Sequence, residues 1–557
     1  MLSPKDLQAM LQKQRHAAEE NDAKRRAERL RLPYMDLVSL HVPTELKAMA
    51  LVPEESARAG LLVPLQLLRK KLVLAVFDPT LPETKKVADE LKKKYEVSVV
   101  VASKSGLAFL WTFYKYVANE MDEISGRVEI DEANLSNILG NVKTLGNLKA
   151  LIEGFKGQRT SELLEIILGG AMALRSSDIH LEPTKEWGVF RLRIDGLLHT
   201  ATDQFPLGAY HSVITRIKLL SNLKLNITDQ AQDGRFTIAL KDRDIEIRTS
   251  IIPSEYGETI VMRLLDPNAL KVNLEELGWR SDDLGIVTNV LKEPNGLILN
   301  TGPTGSGKTT TLYAFLKYIL TPEIKIITVE DPIEYHIAGI SQTQVDTDAN
   351  YTFASGLRSI LRQDPDVILV GEIRDEETAD IAMNASLTGH MVFSTLHTND
   401  AVGAIPRLLD LGAKPQVLAP ALSLVIAQRL VRRLCPTCKT AKKTDQKTAK
   451  QFEVFLENLP KRVDRAVYTT ITVFESKGCE KCGGLGYKGR TSLFELFEVG
   501  EKIETAIYEN PNELRLKKLA NEQGMSTMQA DGILKVFQGI TTFAEVEGVT
   551  GPIEWKT

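Results

Sequence analysis

The sequence predicts a multidomain α/β protein organised around one phosphate-binding loop. Three observations predict it. From about Gly278 onward, short apolar runs alternate with segments of helical periodicity, the pattern of a mostly parallel sheet. One strand-to-helix turn in that region reads Gly302-Pro303-Thr304-Gly305-Ser306-Gly307-Lys308-Thr309 and fits G-x-x-x-x-G-K-[ST] at every fixed position. A chain of 557 residues has room for about three or four domains.

The flanks of the loop suit its chemistry. Gly296 to Thr301 reads as a short buried strand. Thr310 to Leu320 reads as a helix with Leu312, Phe315, Leu316 and Ile319 on one face. The glycines let successive main-chain N–H groups turn inward around a phosphate, and the helix dipole adds positive potential at the same place. Lys308 then reaches the β- and γ-phosphates, and the Thr309 hydroxyl is a Mg²⁺ ligand candidate. Gly302 to Thr310 is the expected nucleotide-binding set.

Composition narrows the class. Basic and acidic residues nearly balance, 69 against 73, which argues against a nucleic-acid partner. No apolar run approaches the roughly 18 residues of a membrane span, and the N-terminus is charged, without the apolar stretch of a signal peptide. The expectation is a cytoplasmic protein whose membrane association is peripheral. The four cysteines form two C-x-x-C pairs, which in a cytosolic chain points to metal rather than disulfides.

In chain order, residues 1–32 predict a charged, solvated arm or frayed helix. Residues 33–116 predict a small α/β module, with strands at Val63–Leu67, Lys71–Phe77 and Val97–Val101 and a helix at Glu83–Tyr95. Residues 117–157 read as linker with one weak helix. A second α/β domain spans 158–275. It begins with a helix at Leu163–Leu174, followed by Ser177-Asp178-Ile179-His180-Leu181-Glu182-Pro183. Gly188 to His199 reads as a hairpin turning at Asp195-Gly196, and Tyr210 to Leu220 as a helix. Gln232-Asp233-Gly234-Arg235 reads as a turn before strands at Phe236–Leu240, Ile245–Ser250 and Thr259–Leu265. The phosphate-loop core spans 276–434, with strands at Leu297–Thr301, Ile324–Val329, Val367–Val370 and Met391–Leu396. Val417 to Leu434 reads as its last long helix. Residues 435–490 hold the cysteines, and 491–557 read as short helices.

Three further patches fall at strand ends of the core, where open α/β folds bind ligands. Thr328-Val329-Glu330-Asp331-Pro332-Ile333-Glu334 sets carboxylates just past a buried strand, where one could activate a water. Asp366 to Asp375 is an apolar strand ending in Glu372, the form of a Walker B element. Asp375 suits the N-cap of the next helix, with Glu376 and Glu377 in its first turn. Leu387 to Asp400 puts His390 at the start of a strand and His397 at its end, where His397 could sense a γ-phosphate.

Cys435-Pro436-Thr437-Cys438 and Cys479-Glu480-Lys481-Cys482 are two knuckles about forty residues apart. A helix at Asp445–Leu459 fills the gap. Four thiolates suit a closed structural Zn²⁺ site.

These motifs, in this order, resemble the secretion ATPase superfamily of type II secretion and type IV pilus assembly. Walker A corresponds to Gly302–Thr309, the Asp box to Thr328–Glu334, Walker B to Ile368–Glu372 and the His box to Leu387–Asn399. The resemblance implies a RecA-like P-loop ATPase core, preceded by a PAS-like α/β domain and an N-terminal docking module. It also implies a tetracysteine zinc subdomain of the assembly type, followed by Gly486–Arg490. It implies ATP and Mg²⁺ as cofactors, with Lys308, Glu334, Glu372 and His397 as catalytic residues. Arginines of the preceding domain, Arg193 and Arg216, with Arg191 beside them, would complete a neighbour's site, and Arg358 and Arg362 precede the Walker B strand. The expected assembly is a homo-hexamer acting on an inner-membrane platform protein and other pilus or secretion subunits, at the cytoplasmic face. The first alternative is the equivalent motor of a type II secretion system. A DNA-translocating motor and a nucleotide-binding scaffold with little turnover are the others.

Overall fold

In the computed structural model, residues 4–555 are described apart from 39–43, 116, 118–126, 130–131, 156–158, 242, 268–271, 469–470 and 510. The chain divides into two compact units. The first is Met1–Val142, Gly146–Ile194 and Leu198–Leu264; the second is Lys143–Leu145, Asp195–Leu197 and Leu265–Thr557. Among the described residues no helix is long and apolar enough to cross a membrane.

In the first unit, β1 (Leu62–Leu68) and β2 (Lys71–Val76) form an antiparallel pair, and β3 (Glu96–Val101) adds parallel to β2 after the helix Pro82–Lys92. Val63, Leu65, Leu72 and Leu74 are buried in this module's core. Residues 1–32 are not a solvated arm throughout. Pro4–Leu30 is one helix, and its C-terminal half packs on the module, with Ala23 and Ala27 buried. The Arg26 guanidinium lies 3.5 Å from the Phe77 ring centroid and donates to the Phe77 carbonyl at 3.0 Å. Small alanines make the contact face, so the helix lacks the apolar stripe that sequence periodicity looks for.

The stretch 117–157, expected as linker, carries two helices, Glu132–Asn141 and Leu145–Glu153. Leu135, Ile138, Leu148 and Ile152 are buried. Leu135 and Ile138 meet the helix Thr160–Ala173 at Gly169 and Leu148 meets it at Gly170, where a Cβ would stand 2.4 Å from Leu148 Cδ1. A sheet then forms from β4 (Arg127–Glu129), β5 (Ser176–Pro183), β6 (Trp187–Ile194), β7 (Leu197–Pro206), β8 (Gln232–Ala239), β9 (Asp244–Ser254) and β10 (Gly257–Leu265). Its order is β4-β8-β9-β10-β5-β6-β7. The hairpin at Asp195-Gly196 is present, both residues having positive φ. The expected turn at Gln232–Arg235 is instead the start of β8, paired with β9 from Gln232 onward. Its Asp-Gly dipeptide carries the turn signature, but ladder pairing overrides it.

The second unit is built on β11 (Gly296–Thr301), β12 (Ile326–Glu330), β13 (Ser341–Gln344), β14 (Val367–Val370), β15 (Met391–Leu396) and β16 (Leu422–Leu434). A short pair, β17 (Thr440–Lys442) with β18 (Val473–Glu475), follows, and then β19 (Tyr487–Glu498). The large sheet runs β13-β12-β14-β15-β11-β16-β19. All its pairs are parallel except β16 with β19. Alternate residues feed two cores: Leu297, Leu299, Val425 and Ala427 on one face, Ile298, Leu424 and Ile426 on the other.

Two expectations are corrected here. Val417–Leu434 is not a helix: only Pro415–Ala421 is helical, and Leu422–Leu434 is a strand. A strand covered on both faces reads as a continuous apolar run, and periodicity cannot separate that from a buried helix. The region after the second cysteine pair also contributes a twelve-residue strand, β19, so the sheet extends well beyond residue 434.

Gly170→Val forces a methyl group against Leu148. It is expected to lower the thermal midpoint by the equivalent of about 1–3 kcal/mol, measured by calorimetry, while Gly140→Ala, with open space at its Cβ, should leave it near wild type.

Candidate active site

The parallel register places strand ends side by side. Thr301 pairs with Leu396 of β15 and with Ala427 of β16, and Val370 of β14 pairs with Ser394. Residues just past these positions, Gly302, Glu372, His397, Gln428 and Arg429, therefore share one edge of the sheet.

The loop has the conformation its glycines predict. Gly302, Gly305 and Gly307 have φ of 149°, 78° and 93°, which only glycine adopts without strain. Gly307 caps the helix Lys308–Ile319, so the dipole and the unpaired N–H groups of its first turn face the loop. Pro303, Thr304, Gly305 and Thr309 are exposed, and Thr310 is half-buried. The Ser306 hydroxyl is buried and has no hydrogen-bond partner among the described residues. Lys308 Nζ donates to the carbonyls of Gly302 at 2.7 Å and Pro303 at 3.2 Å. Its pKa is lowered to about 8 by burial, which outweighs the opposing field of Glu372, with Arg429 pushing the same way as burial. A half-buried ammonium resting on neutral carbonyls, an orphaned hydroxyl and a glycine cradle together fit a polyphosphate.

The carboxylates divide by environment. Glu330 ends β12 and is buried. It accepts hydrogen bonds from Tyr313, from Thr328 at 2.5 Å and from Gln342 at 3.1 Å. That network fixes the following loop: Gln342 also holds the Tyr335 carbonyl at 3.0 Å and the Ile337 N–H at 2.8 Å. The Tyr313 oxygen meets the main-chain N–H groups of Tyr335 and Glu334. Glu330 is thus committed to structure, and Glu334 rides on a loop pinned to the helix that follows the phosphate loop.

Glu372 follows β14, where Thr395 Oγ1 donates to the Gly371 carbonyl at 2.8 Å. It pairs with Arg374, and His397 Nε2 lies 3.5 Å from its other oxygen. The structure therefore brings Glu372 and His397 together. His390 sits at the opposite end of β15 and bonds the Ala385 carbonyl at 2.9 Å, which is a structural role. Asp375 is an N-cap, accepting from Thr378 N–H at 2.8 Å. Arg358 pairs with Glu377 at 2.5 Å, and Arg362 donates to the Arg358 carbonyl at 2.9 Å. Arg193 on β6 lies 3.5 Å from Asp178, Arg191 pairs with Glu182, and Arg216 lies in the helix Leu207–Leu220. These last three belong to the first unit and the phosphate loop to the second.

Sequence reasoning missed the β16 side of the site. Gln428, fully buried, accepts from Asn300 Nδ2 at 2.8 Å and Thr311 Oγ1 at 2.9 Å, and donates to Ser492 Oγ at 3.0 Å. It joins the strand before the loop, the helix after it and β19. A Cβ on Gly302 would meet the Gln428 carbonyl at 2.6 Å, and one on Gly307 the Gln428 side chain at 2.8 Å. The available signal was a Gln-Arg pair breaking an apolar run.

The four cysteines converge. Cys435 and Cys479 sulfurs are 3.9 Å apart, Cys438 and Cys482 3.8 Å, and Cys479 and Cys482 3.8 Å. A tetrahedral ion with bonds of about 2.3 Å requires sulfur separations of about 3.8 Å. The N–H groups of Cys479 and Gly486 point at the Cys482 sulfur at 3.1 and 3.2 Å, as thiolate acceptors require. The donor set fits zinc. The helix Gln446–Glu457 fills the interval between the pairs.

Fold and site define a P-loop ATPase. A family profile described as "Type II/IV secretion system protein" matches residues 156–548, and one described as "MshEN domain" matches 30–110. The chain is 43% identical over 401 residues to type II secretion system protein E of Dickeya dadantii, covering 72% of this chain and 77% of that protein. It is 36% identical over 506 residues to the type IV pilus assembly ATPase PilB of Myxococcus xanthus, covering 90% and 86%. The fold matches the Legionella pneumophila ATPase DotB with a TM-score of 0.52 at 21% identity, over 71% of this chain and 97% of that one. The chain belongs to the type II/IV secretion system protein family.

Gln428→Ala strands the Asn300, Thr311 and Ser492 groups in the interior. We expect a loss of stability of about 1–3 kcal/mol together with weakened nucleotide binding, read by denaturant midpoint and by titration; an unchanged midpoint would show that the bridge is not structural.

Proposed function

We propose that the protein is a Mg²⁺-dependent, ring-forming ATPase that powers type IV pilus assembly. The observation that carries the reading is the cradle at Gly302–Thr309, whose lysine donates to the Gly302 and Pro303 carbonyls. ATP enters with its phosphates on the main-chain N–H groups and the helix N-terminus. Lys308 then leaves the Gly302 and Pro303 carbonyls for the β- and γ-phosphates. The exposed Thr309 hydroxyl and Glu372 would hold the magnesium ion, which when bound neutralises charge on the β- and γ-oxygens. Glu334 takes the proton of a water as its oxygen bonds to the γ-phosphorus and the bond to the β–γ bridging oxygen breaks. Glu334 is favoured because Glu330 is consumed by structure and Glu372 is paired with Arg374. His397, against Glu372, reports whether the γ-phosphate is present. Arg193 and Arg216 of a neighbouring subunit supply positive charge to the transferred phosphoryl.

Assembly as a homo-hexamer at the cytoplasmic face of the inner membrane fits this reading, with domain movement passed to a platform protein that adds pilin subunits to a filament. The pilus reading is supported by the similarity to PilB running through 90% of the chain. The matching docking-module profile at 30–110 supports it too. The motor of a type II secretion system is the second reading, favoured by the 43% identity to protein E. Zinc at Cys435, Cys438, Cys479 and Cys482 would be structural, closing the knuckles beside β16 and β19.

Lys308→Ala should abolish nucleotide binding. Glu334→Gln should retain ATP binding and lower turnover by about 10²-fold or more, measured by phosphate release; normal turnover in both variants would defeat the enzyme reading. One equivalent of zinc should be released on treating the protein with a thiol-modifying reagent, and Cys438→Ser should lose the metal and melt earlier; a metal-free wild type with full stability would contradict this. Deletion of the gene should remove surface pili and leave protein secretion intact, and the reverse outcome selects the second reading.

A further inference from the structure

Arg429 has an environment that the function described so far does not use. β16 pairs with β11 so that Thr301 faces Ala427, which carries Arg429 past the strand and alongside the phosphate loop. A Cβ on Gly302 would stand 3.0 Å from Arg429 Nη1. In the sheet order β14-β15-β11-β16, Glu372 and His397 flank the loop on one side and Arg429 on the other.

Among the described residues its guanidinium has only neutral acceptors. Nη1 donates to the Gln428 carbonyl at 3.1 Å and Nη2 to the Asn399 carbonyl at 3.2 Å. Among the described residues no carboxylate lies within ion-pair distance of it. Two acids are near enough for their fields to reach it, Glu495 and Asp400, and both are engaged elsewhere. Glu495 accepts the main-chain N–H groups of Ala401 at 2.9 Å and Met528 at 3.1 Å. Asp400 accepts from Lys517 at 2.9 Å and from the Gly403 N–H at 2.7 Å. The guanidinium is half-buried, and burial lowers its pKa beside a lysine already lowered for the same reason. Two partly desolvated cations beside one loop, with acids nearby committed to main chain and lysine, call for an anion. An arginine anchored through part of its fork still offers N–H groups in a plane that matches phosphate oxygens, which lysine cannot reproduce.

We propose that Arg429 is a second nucleotide-binding cation, contacting a phosphate oxygen of the bound nucleotide from the β16 side of the loop. The proposal rests on the reading of Gly302–Thr309 as the nucleotide site. It places one binding residue on the same strand that leads to Cys435, so nucleotide occupancy is felt directly by β16.

The test uses the full-length protein and MgADP, which lacks the γ-phosphate and so isolates binding from hydrolysis. Wild type, Arg429→Gln and Arg429→Lys are titrated calorimetrically, and their melting is followed without nucleotide. Arg429→Gln should raise the Kd for MgADP at least about tenfold, one missing charge-assisted contact, with its nucleotide-free midpoint unchanged, and Arg429→Lys should recover part of the loss. In parallel, wild-type protein is labelled with phenylglyoxal and digested for mass spectrometry; MgADP should protect Arg429. A Kd within about twofold of wild type for Arg429→Gln, or equal labelling of Arg429 with and without MgADP, overturns the proposal. Weakened binding without protection assigns Arg429 to bracing the Asn399 loop and overturns it as well. Failure of the loop reading itself is distinct, because wild type would then bind no MgADP at all.

Discussion

The site depends on the parallel register of β11 with the strands on either side. Parallel strands deliver their carboxyl ends to one edge, and β11 ends at Thr301, one residue before the first loop glycine. Pairing of Thr301 with Leu396 and Ala427 brings His397 and Gln428 level with that glycine. Thr301 Oγ1 donates to the Thr398 carbonyl at 3.0 Å, which ties the loop to the segment after β15. A slip of one residue in either pairing would turn every buried side chain of β11 to the opposite core, so the two hydrophobic cores that stabilise the sheet also set the geometry of the edge.

Polar groups buried at that edge are of two kinds. Gln428, Glu330 and Glu495 are satisfied by fixed neighbours and act as braces. Gln428 joins loop strand, loop helix and β19; Glu330 pins the segment carrying Glu334; Glu495 holds the N–H groups of Ala401 and Met528. Lys308 and Arg429 rest instead on carbonyl oxygens, and the Ser306 hydroxyl has no partner among the described residues. The acids whose fields reach these cations are engaged elsewhere: Glu372 with Arg374, Asp400 with Lys517, and Glu495 with main-chain N–H groups. That division leaves the loop electropositive without long-range help from a chain whose net charge is −4. β16 extends from this edge to Leu434, and the next residue is Cys435, whose N–H donates to the Gly486 carbonyl at 3.0 Å. One strand therefore passes beside the phosphate loop at Gln428 and Arg429 and leads into the sulfur cluster at Cys435.

Much of this was legible in the sequence because the signals are local. The loop, the strand ending before Glu372, the N-cap at Asp375 and the two cysteine pairs each declare themselves within a few residues. What escaped is set by distant pairing. β16, between β11 and β19, and the edge strand β19 both send side chains into two cores, so their apolar runs carry no alternation, and Leu422–Leu434 is indistinguishable in pattern from a helix. The Asp233-Gly234 turn signature yielded to ladder bonds with β9. The helices within 117–157 meet their partner at Gly169 and Gly170, where contact comes from missing side chains rather than from apolar ones. Glu330 and Glu334 look equivalent in sequence; only the Tyr313 and Gln342 hydrogen bonds separate them. Gln428 and Arg429 have no motif, because their roles come from register across β11 and β16.

The most direct measurement is a diffraction structure of the protein crystallised with Mg²⁺ and a non-hydrolysable ATP analogue. The account requires the β- and γ-phosphates within hydrogen-bond distance of main-chain N–H groups of residues 305–309, with Lys308 Nζ moved off the Gly302 and Pro303 carbonyls onto phosphate oxygen. A structure in which the lysine keeps those carbonyls while the analogue binds elsewhere, or does not bind, would contradict it.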